Sequence, residues 1–178
     1  MLSQPEAAET LVRLETAAPV AVTTPTIRAE SPPTLEVVSD VVLAIHGGAG
    51  TIRRDAMTPE LDAAYRAALA DALLRGHRVL ADGGRAADAV EAALHALEDS
   101  HLFNAGRGAV LTNEGTDEMD ASIMLGRSGM AGAIAGAHAV RHPISAARAV
   151  MEKTEHVLLS GGGADRFVTE QGLSLIHI

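Results

Sequence analysis

Val41-Val42-Leu43-Ala44-Ile45-His46-Gly47-Gly48-Ala49-Gly50 is an apolar, largely β-branched run that ends at once in glycines. A continuous apolar run of this length predicts a strand buried on both faces, feeding a tight loop. Successive glycines let the backbone come close to another group and present N–H donors, which suits an anion, an oxyanion or a neighbouring chain end. A phosphate-cradling loop is excluded because no Lys-Ser or Lys-Thr follows; the next residues are Thr51-Ile52-Arg53-Arg54. Taken alone, the segment is equally well read as a tight turn that needs glycine for geometry only.

Downstream, Thr58 before Pro59 and Glu60 predicts an N-cap, a proline at the first helical position and an acidic first turn. Leu61, Tyr65, Leu69, Leu73 and Leu80 continue at helical spacing until Gly83-Gly84. Ala86, Val90, Leu94 and Leu97 mark a second helix ending near Asp99 and Ser100. Residues 109–112 and 118–124 read as strands joined by a turn at Asn113-Glu114-Gly115, and 130–140 as a third, closely packed strand. Pro143 opens a helix carrying Ile144, Ala147 and Met151. Val157-Leu158-Leu159 is a short strand running into Ser160-Gly161-Gly162-Gly163, and a last helix spans 164–171, closed by Gly172. Adjacent strands amid helices predict an α/β layered fold, a sheet with helices outside it. Upstream, residues 1–40 are rich in Pro, Thr, Ala and Glu and read as an irregular or disordered lead-in outside the fold. The folded unit is therefore 41–172, and 173–178 is a doubtful tail read as non-native.

A second glycine signature is Leu102-Phe103-Asn104-Ala105-Gly106-Arg107-Gly108-Ala109-Val110-Leu111-Thr112. Asn104 falls between a helix end and a strand start, where its amide either donates to a substrate or oxyanion or caps the turn locally. Gly106 and Gly108 tighten the turn and would hold that amide rigidly. Asp117, Glu118 and Asp120 form an acidic cluster; with no His at ligand spacing, carboxylates on a solvated edge are the plainer reading than a catalytic pair. The eight His residues show no metal-binding spacing, and only His46, beside the glycine loop, stands out.

The bulk numbers narrow the function classes. The chain has 178 residues, 47% hydrophobic and 2% aromatic, with 17 Gly, so its core is built from Ala, Leu, Val and Ile around close backbone contacts. A net charge of −9, with no basic run among 14 Lys and Arg, argues against nucleic acid and anionic membranes as partners. No Cys is present, so neither disulfides nor thiolate metal sites occur. The first residues carry no secretory pattern and no apolar run reaches membrane-spanning length, which makes a soluble, cytoplasmic protein the expectation.

Taken jointly and in this order, the two glycine signatures, Glu118-Met119-Asp120-Ala121-Ser122-Ile123-Met124 and the His142-Pro143 helix with Ala146-Ala147-Arg148 make the chain resemble the plant-type L-asparaginases, also called isoaspartyl peptidase/L-asparaginases. The resemblance runs from about Val41 to Gly172. It implies an αββα sandwich of the N-terminal-nucleophile hydrolases, present here as the α-subunit portion and incomplete. It also implies a precursor that cuts its own backbone and exposes a Thr, whose free amine activates its own hydroxyl. The implied substrates are small molecules, L-asparagine and β-aspartyl dipeptides, and the implied partner is the chain's own β subunit in an (αβ)2 dimer.

Position by position, Asn104 matches the family's Asn beside the nucleophile, and His46, Gly47 and Gly48 match its supporting loop. The family's structural sodium ion, held by main-chain oxygens, falls on Leu97, Glu98, Ser100, Phe103, Ala105 and Arg107; no catalytic cofactor is implied. The Gly-Thr-Val-Gly-like segment that opens with the nucleophile is absent from the 178 residues, so the chain alone is expected to be inactive. The rival readings are a glycosylasparaginase-like enzyme, whose members are typically secreted and carry Cys, and a non-catalytic module binding an anion at His46 to Gly50.

Overall fold

A computed structural model of the chain describes residues 41–47, 56–138 and 140–173. The 1–40 lead-in, Gly48 to Gly50 of the first signature and the tail from 174 lie outside the described residues.

Helix α1, Pro59–Ala81, begins as its sequence predicts: Thr58 Oγ1 accepts a hydrogen bond from Leu61 N at 3.2 Å, with Pro59 in the first turn. Its stripe buries Leu69, Ala72, Leu73 and Gly76. Helix α2, Ala86–Glu98, folds back on it, so that Gly76 meets Ala89 and Ala93 at one end while Leu69 and Leu97 share a cluster at the other. The approach is close because the facing residues are small: a methyl placed on Gly76 would fall 2.8 Å from Ala89 O.

Three strands follow, β1 (Met119–Met124), β2 (Ala131–Ala137) and β3 (Leu158–Ser160), in the sheet order β1-β2-β3. The β1–β2 hairpin is antiparallel, and β2 reaches the parallel β3 by way of helix α3, Pro143–Lys153. Between Ala121↔Ile134 and Met119↔Ala137 the register slips, so Asp120 faces two residues of β2. Gly136 takes φ 56° at this bulge, and its N–H donates to Asp120 Oδ1 at 2.8 Å. Helix α4, Gly161–Glu170, closes the described chain.

One face of the sheet is covered. Met119, Ile134 and Ala137 pack with Ala146 and Val150 of α3 and with Ala164 and Val168 of α4. Ile123 joins Ile144, Ala147 and Met151 of α3 and Ala87 of α2. Gly132 lets α3 touch the sheet backbone to backbone, since a methyl there would collide with Ala147 O and lie 2.5 Å from Met151 N. The layers on this side thus run sheet, α3 with α4, α2, α1. The other face carries Ser122, Ala133 and Leu158 side by side, with Met124 and Leu158 66% and 54% exposed.

Helices and a small mixed sheet agree with the expected α/β class. Three local expectations are corrected. Residues 41–45 are not a strand buried on both faces: Leu43, Ile45 and Gly47 turn toward the α1 side and are half-buried, Val42, Ala44 and His46 are exposed, and no ladder partner lies among the described residues. Residues 109–112 form only an isolated bridge, Leu111↔Asp117, because the turn at 113–115 closes too soon for a ladder. The last helix starts at Gly161, not Ala164, with three glycines in its first turn.

Candidate active site

The site grows from the end of α2. Asp99 stops that helix, and the chain turns through Phe103 into a 3-10 turn at Gly106–Gly108. Both glycines are required by contact. Gly106, at φ 52°, sits so near the last turn of α2 that an added methyl would lie 2.5 Å from Glu98 O. A methyl on Gly108 would collide with Phe103 O and lie 2.9 Å from Ser100 O. The main-chain oxygens of Glu98, Ser100 and Phe103 therefore gather around this turn, while Ala105 O accepts from Gly108 N at 3.0 Å.

Asn104 stands exposed on the turn, its Oδ1 accepting from Val110 N at 2.9 Å. A backbone N–H must meet an acceptor, so the contact fixes which end of the carboxamide is oxygen. The Nδ2 donors have no protein partner among the described residues. Local capping and donation outward, alternatives in the sequence, are thus compatible in one side chain.

Asn104 lines a cavity of about 200 Å³ with Ala105, Gly106 and Ala109, closed by Glu98 and Pro143 and by Glu118, Met119 and Asp120 at the start of β1. Glu118 and Asp120 are exposed, as a solvated edge requires, yet they share this cavity with Asn104. Among the described residues no three His, Cys, Asp or Glu side chains gather as metal ligands would.

Glu98 is the residue that sequence reasoning missed as a side chain. It is 4% exposed; Oε1 accepts from Ile144 N at 2.9 Å in the first turn of α3, and Oε2 has no partner. Burial pushes its carboxyl up to about 8, against the pull of the Ile144 N–H and helped by the nearby charges of Asp99 and Glu91. In sequence it is one more Glu at a helix end, where exposure is the rule.

The first signature reaches this site through Gly47, whose backbone lies on Leu69 and on the ring of Phe103, the residue before Asn104. Tyr65 meets the same ring edge to face at 5.6 Å between centroids. His46 does not join the cavity wall; it lies on the exposed side of its segment. Gly48 lies outside the described residues.

Behind the site, polar contacts tie α2 to α3. Arg148, its side chain only 12% exposed, bonds Asp88 at 2.6 Å, Glu91 at 2.5 Å and Glu152 at 2.8 Å. Ser145 donates to Glu91 Oε1 at 2.6 Å and lies 2.7 Å from His95 Nε2. His95 stacks on His142 with 4.0 Å between ring centroids; burial, then the neighbouring His142, hold its pKa down.

Comparison with known proteins agrees with the two joined signatures. Residues 39–177 match the family model described as asparaginase. Over 139 residues the chain is 46% identical to an isoaspartyl peptidase of Salmonella typhimurium, covering 78% of this chain and 44% of that protein. Over 132 residues it is 52% identical to a plant-type L-asparaginase of Pyrococcus furiosus, covering 74% of this chain and 42% of that one. An isoaspartyl peptidase/L-asparaginase of Xenopus laevis is 48% identical over 132 residues, 74% of this chain and 41% of its own length. The chain thus spans less than half the length of these relatives. With the two glycine signatures meeting at Phe103, and a match over most of its length, the chain belongs to the asparaginase family.

Proposed function

We propose that this chain is the α-subunit portion of an isoaspartyl peptidase/L-asparaginase, an amide hydrolase that removes β-aspartyl residues from dipeptides and converts L-asparagine to L-aspartate and ammonia. The observation that carries the reading is the Asn104 carboxamide. Its oxygen is anchored by Val110 N, and its two N–H donors are left for a group in the cavity. A donor fixed before the reaction stabilises an oxyanion without reorganising, which is worth about 3 kcal/mol in comparable sites.

The nucleophile in this reading is a Thr exposed by backbone self-cleavage, on the part of the relatives' length that this chain does not cover. Its hydroxyl attacks the β-aspartyl carbonyl while its own amine takes the proton and passes it to the departing ammonia or peptide amine as the amide bond breaks; water then hydrolyses the acyl-threonine ester, releasing aspartate and restoring the hydroxyl. The uncovered face of the sheet supports a second sheet stacked on it, since Leu158 and Met124 are 54% and 66% exposed there. That second layer, supplied by the β subunit, would complete an αββα sandwich, and two such pairs an (αβ)2 dimer. Among the described residues no helix is long and apolar enough to cross a membrane.

A structural sodium ion fits the Asn104 turn. Leu97, Glu98, Ser100, Phe103, Ala105 and Arg107 would hold it by main-chain oxygens, of which those of Glu98, Ser100 and Phe103 already gather near Gly106 and Gly108. Its part is to fix the turn; a hard cation suits carbonyl donors whatever the side chains.

The test is to express the chain joined to its downstream sequence. The expected result is a precursor that splits into two bands and releases aspartate from β-aspartyl dipeptides; an uncleaved product without that activity overturns the reading.

A further inference from the structure

The oxygen of the Asn104 carboxamide is anchored by Val110 N, so whatever holds Val110 aims the two N–H donors. Burial does little of this, because Val110 and Leu111 are more than half exposed. Their segment is instead pinned at one isolated antiparallel bridge, Leu111↔Asp117, beside which Thr112 N donates to Thr116 O at 2.7 Å. A single bridge closed by an exposed turn is weak by itself.

Asp117 is in turn held from outside that turn. Its carbonyl oxygen accepts from Nδ1 of His138, the half-buried residue that follows β2. A carbonyl only accepts, so Nδ1 carries the hydrogen. The backbone that bears the ring is fixed, since His138 N donates to Asp165 Oδ1 of α4 at 2.8 Å and the preceding Ala137 is buried in the core.

We propose that His138 is a positioning residue for the Asn104 carboxamide: by gripping Asp117 O it fixes the bridge that presents Val110 N to Asn104 Oδ1. His138 does not line the cavity, so it acts only through Asp117, Leu111 and Val110. Its effect on rate rests on the amide-hydrolase reading; its effect on Val110 does not.

The experiment uses the chain joined to its downstream sequence and reads hydrogen exchange at the Val110 amide, and kcat and KM on a β-aspartyl dipeptide. In His138→Leu the Val110 amide should exchange about tenfold faster, while Leu125 N–H, bonded to Met130 O at the far end of the β1–β2 hairpin, keeps its rate. kcat should fall about tenfold with KM little changed, because the misplaced donors act on the transition state. In an Asn104→Asp background the same substitution should lower kcat less than about twofold, since the donors it positions are already gone. His138→Asn, whose side-chain N–H can stand where ring Nδ1–H stood, should restore both readouts. Should His138→Leu fail to fold, His138→Gln, whose amide reaches toward the place of the far ring nitrogen, replaces it with the same expectations. An unchanged Val110 rate, an equal quickening at Leu125, kcat losses that multiply in the double variant, or no recovery in His138→Asn overturns the proposal. A joined chain without amidase activity in any form overturns the functional reading alone, and Val110 exchange then decides this one.

Discussion

Gly47 lies against Phe103 with no room for a side chain: a methyl on Gly47 would fall 2.9 Å from Phe103 Cε1 and 2.8 Å from Leu69 Cδ2. Phe103 precedes Asn104, so this one contact joins segments more than fifty residues apart in sequence and sets the height of the turn that carries the carboxamide.

Gly47→Ala should therefore push the Phe103 ring and loosen the turn. Overpacking of this kind costs about 1–3 kcal/mol. Chemical denaturation should show that loss, and Leu69→Ala in the same chain should recover part of it by making room for the new methyl. Full additivity of the two losses would show that they do not share the contact.

Asn104→Asp keeps an oxygen for Val110 N and removes the two N–H donors. In the chain joined to its downstream sequence, it should leave stability near that of the parent while lowering kcat by about a hundredfold. Asn104→Ala should lose both. Equal kcat in parent and Asn104→Asp would reduce Asn104 to a local cap.

Arg148 meets carboxylates from both α2 and its own helix at the buried seam between them. Arg148→Met keeps most of the volume and leaves Glu91, whose side chain is 19% exposed, without its charge partner. A loss of about 2–4 kcal/mol is expected in urea unfolding. By contrast Arg66→Lys, at an exposed position paired with Asp62 of the same helix, should change stability by less than about 0.5 kcal/mol.

Asp88 links Arg85 to Arg148, and these two hydrogen bonds, Arg85's first, hold its carboxyl down from 3.8 to about 2. A lowered folded-state value means the contribution is present above pH 3.8 and is lost as pH falls through about 2. Because Asp88 is partly exposed, it should amount to no more than about 1 kcal/mol. Asp88→Asn should flatten the acid limb of stability across that window and leave the slope above it unchanged.

Much of the helical layer was legible in the sequence. Thr58-Pro59 and the leucine stripe placed α1, and Pro143 placed α3, because caps and periodicity act within a few residues of chain. The strand readings fared unevenly for the opposite reason. Residues 118–124 and 130–140 contain the whole of β1 and β2 and run past them by a few residues; the two strands find each other across a four-residue turn at 126–129. Residues 41–45 and 109–112 have strand-like composition but no neighbour among the described residues to complete a ladder, and composition cannot supply one. The early start of α4 escaped notice because three glycines in a row read as loop.

By itself the sequence determined the two glycine signatures, the capped start of α1, the proline that opens α3 and the family to which the signatures point. Tertiary structure alone decided that Gly47 reaches Asn104 through Phe103, that Glu98 is sealed from water, and that Glu118 and Asp120 share its cavity. The division has a physical cause: backbone propensities and caps are local energies, whereas burial, an unmatched carboxylate oxygen and a missing methyl's worth of space exist only once distant segments have packed together.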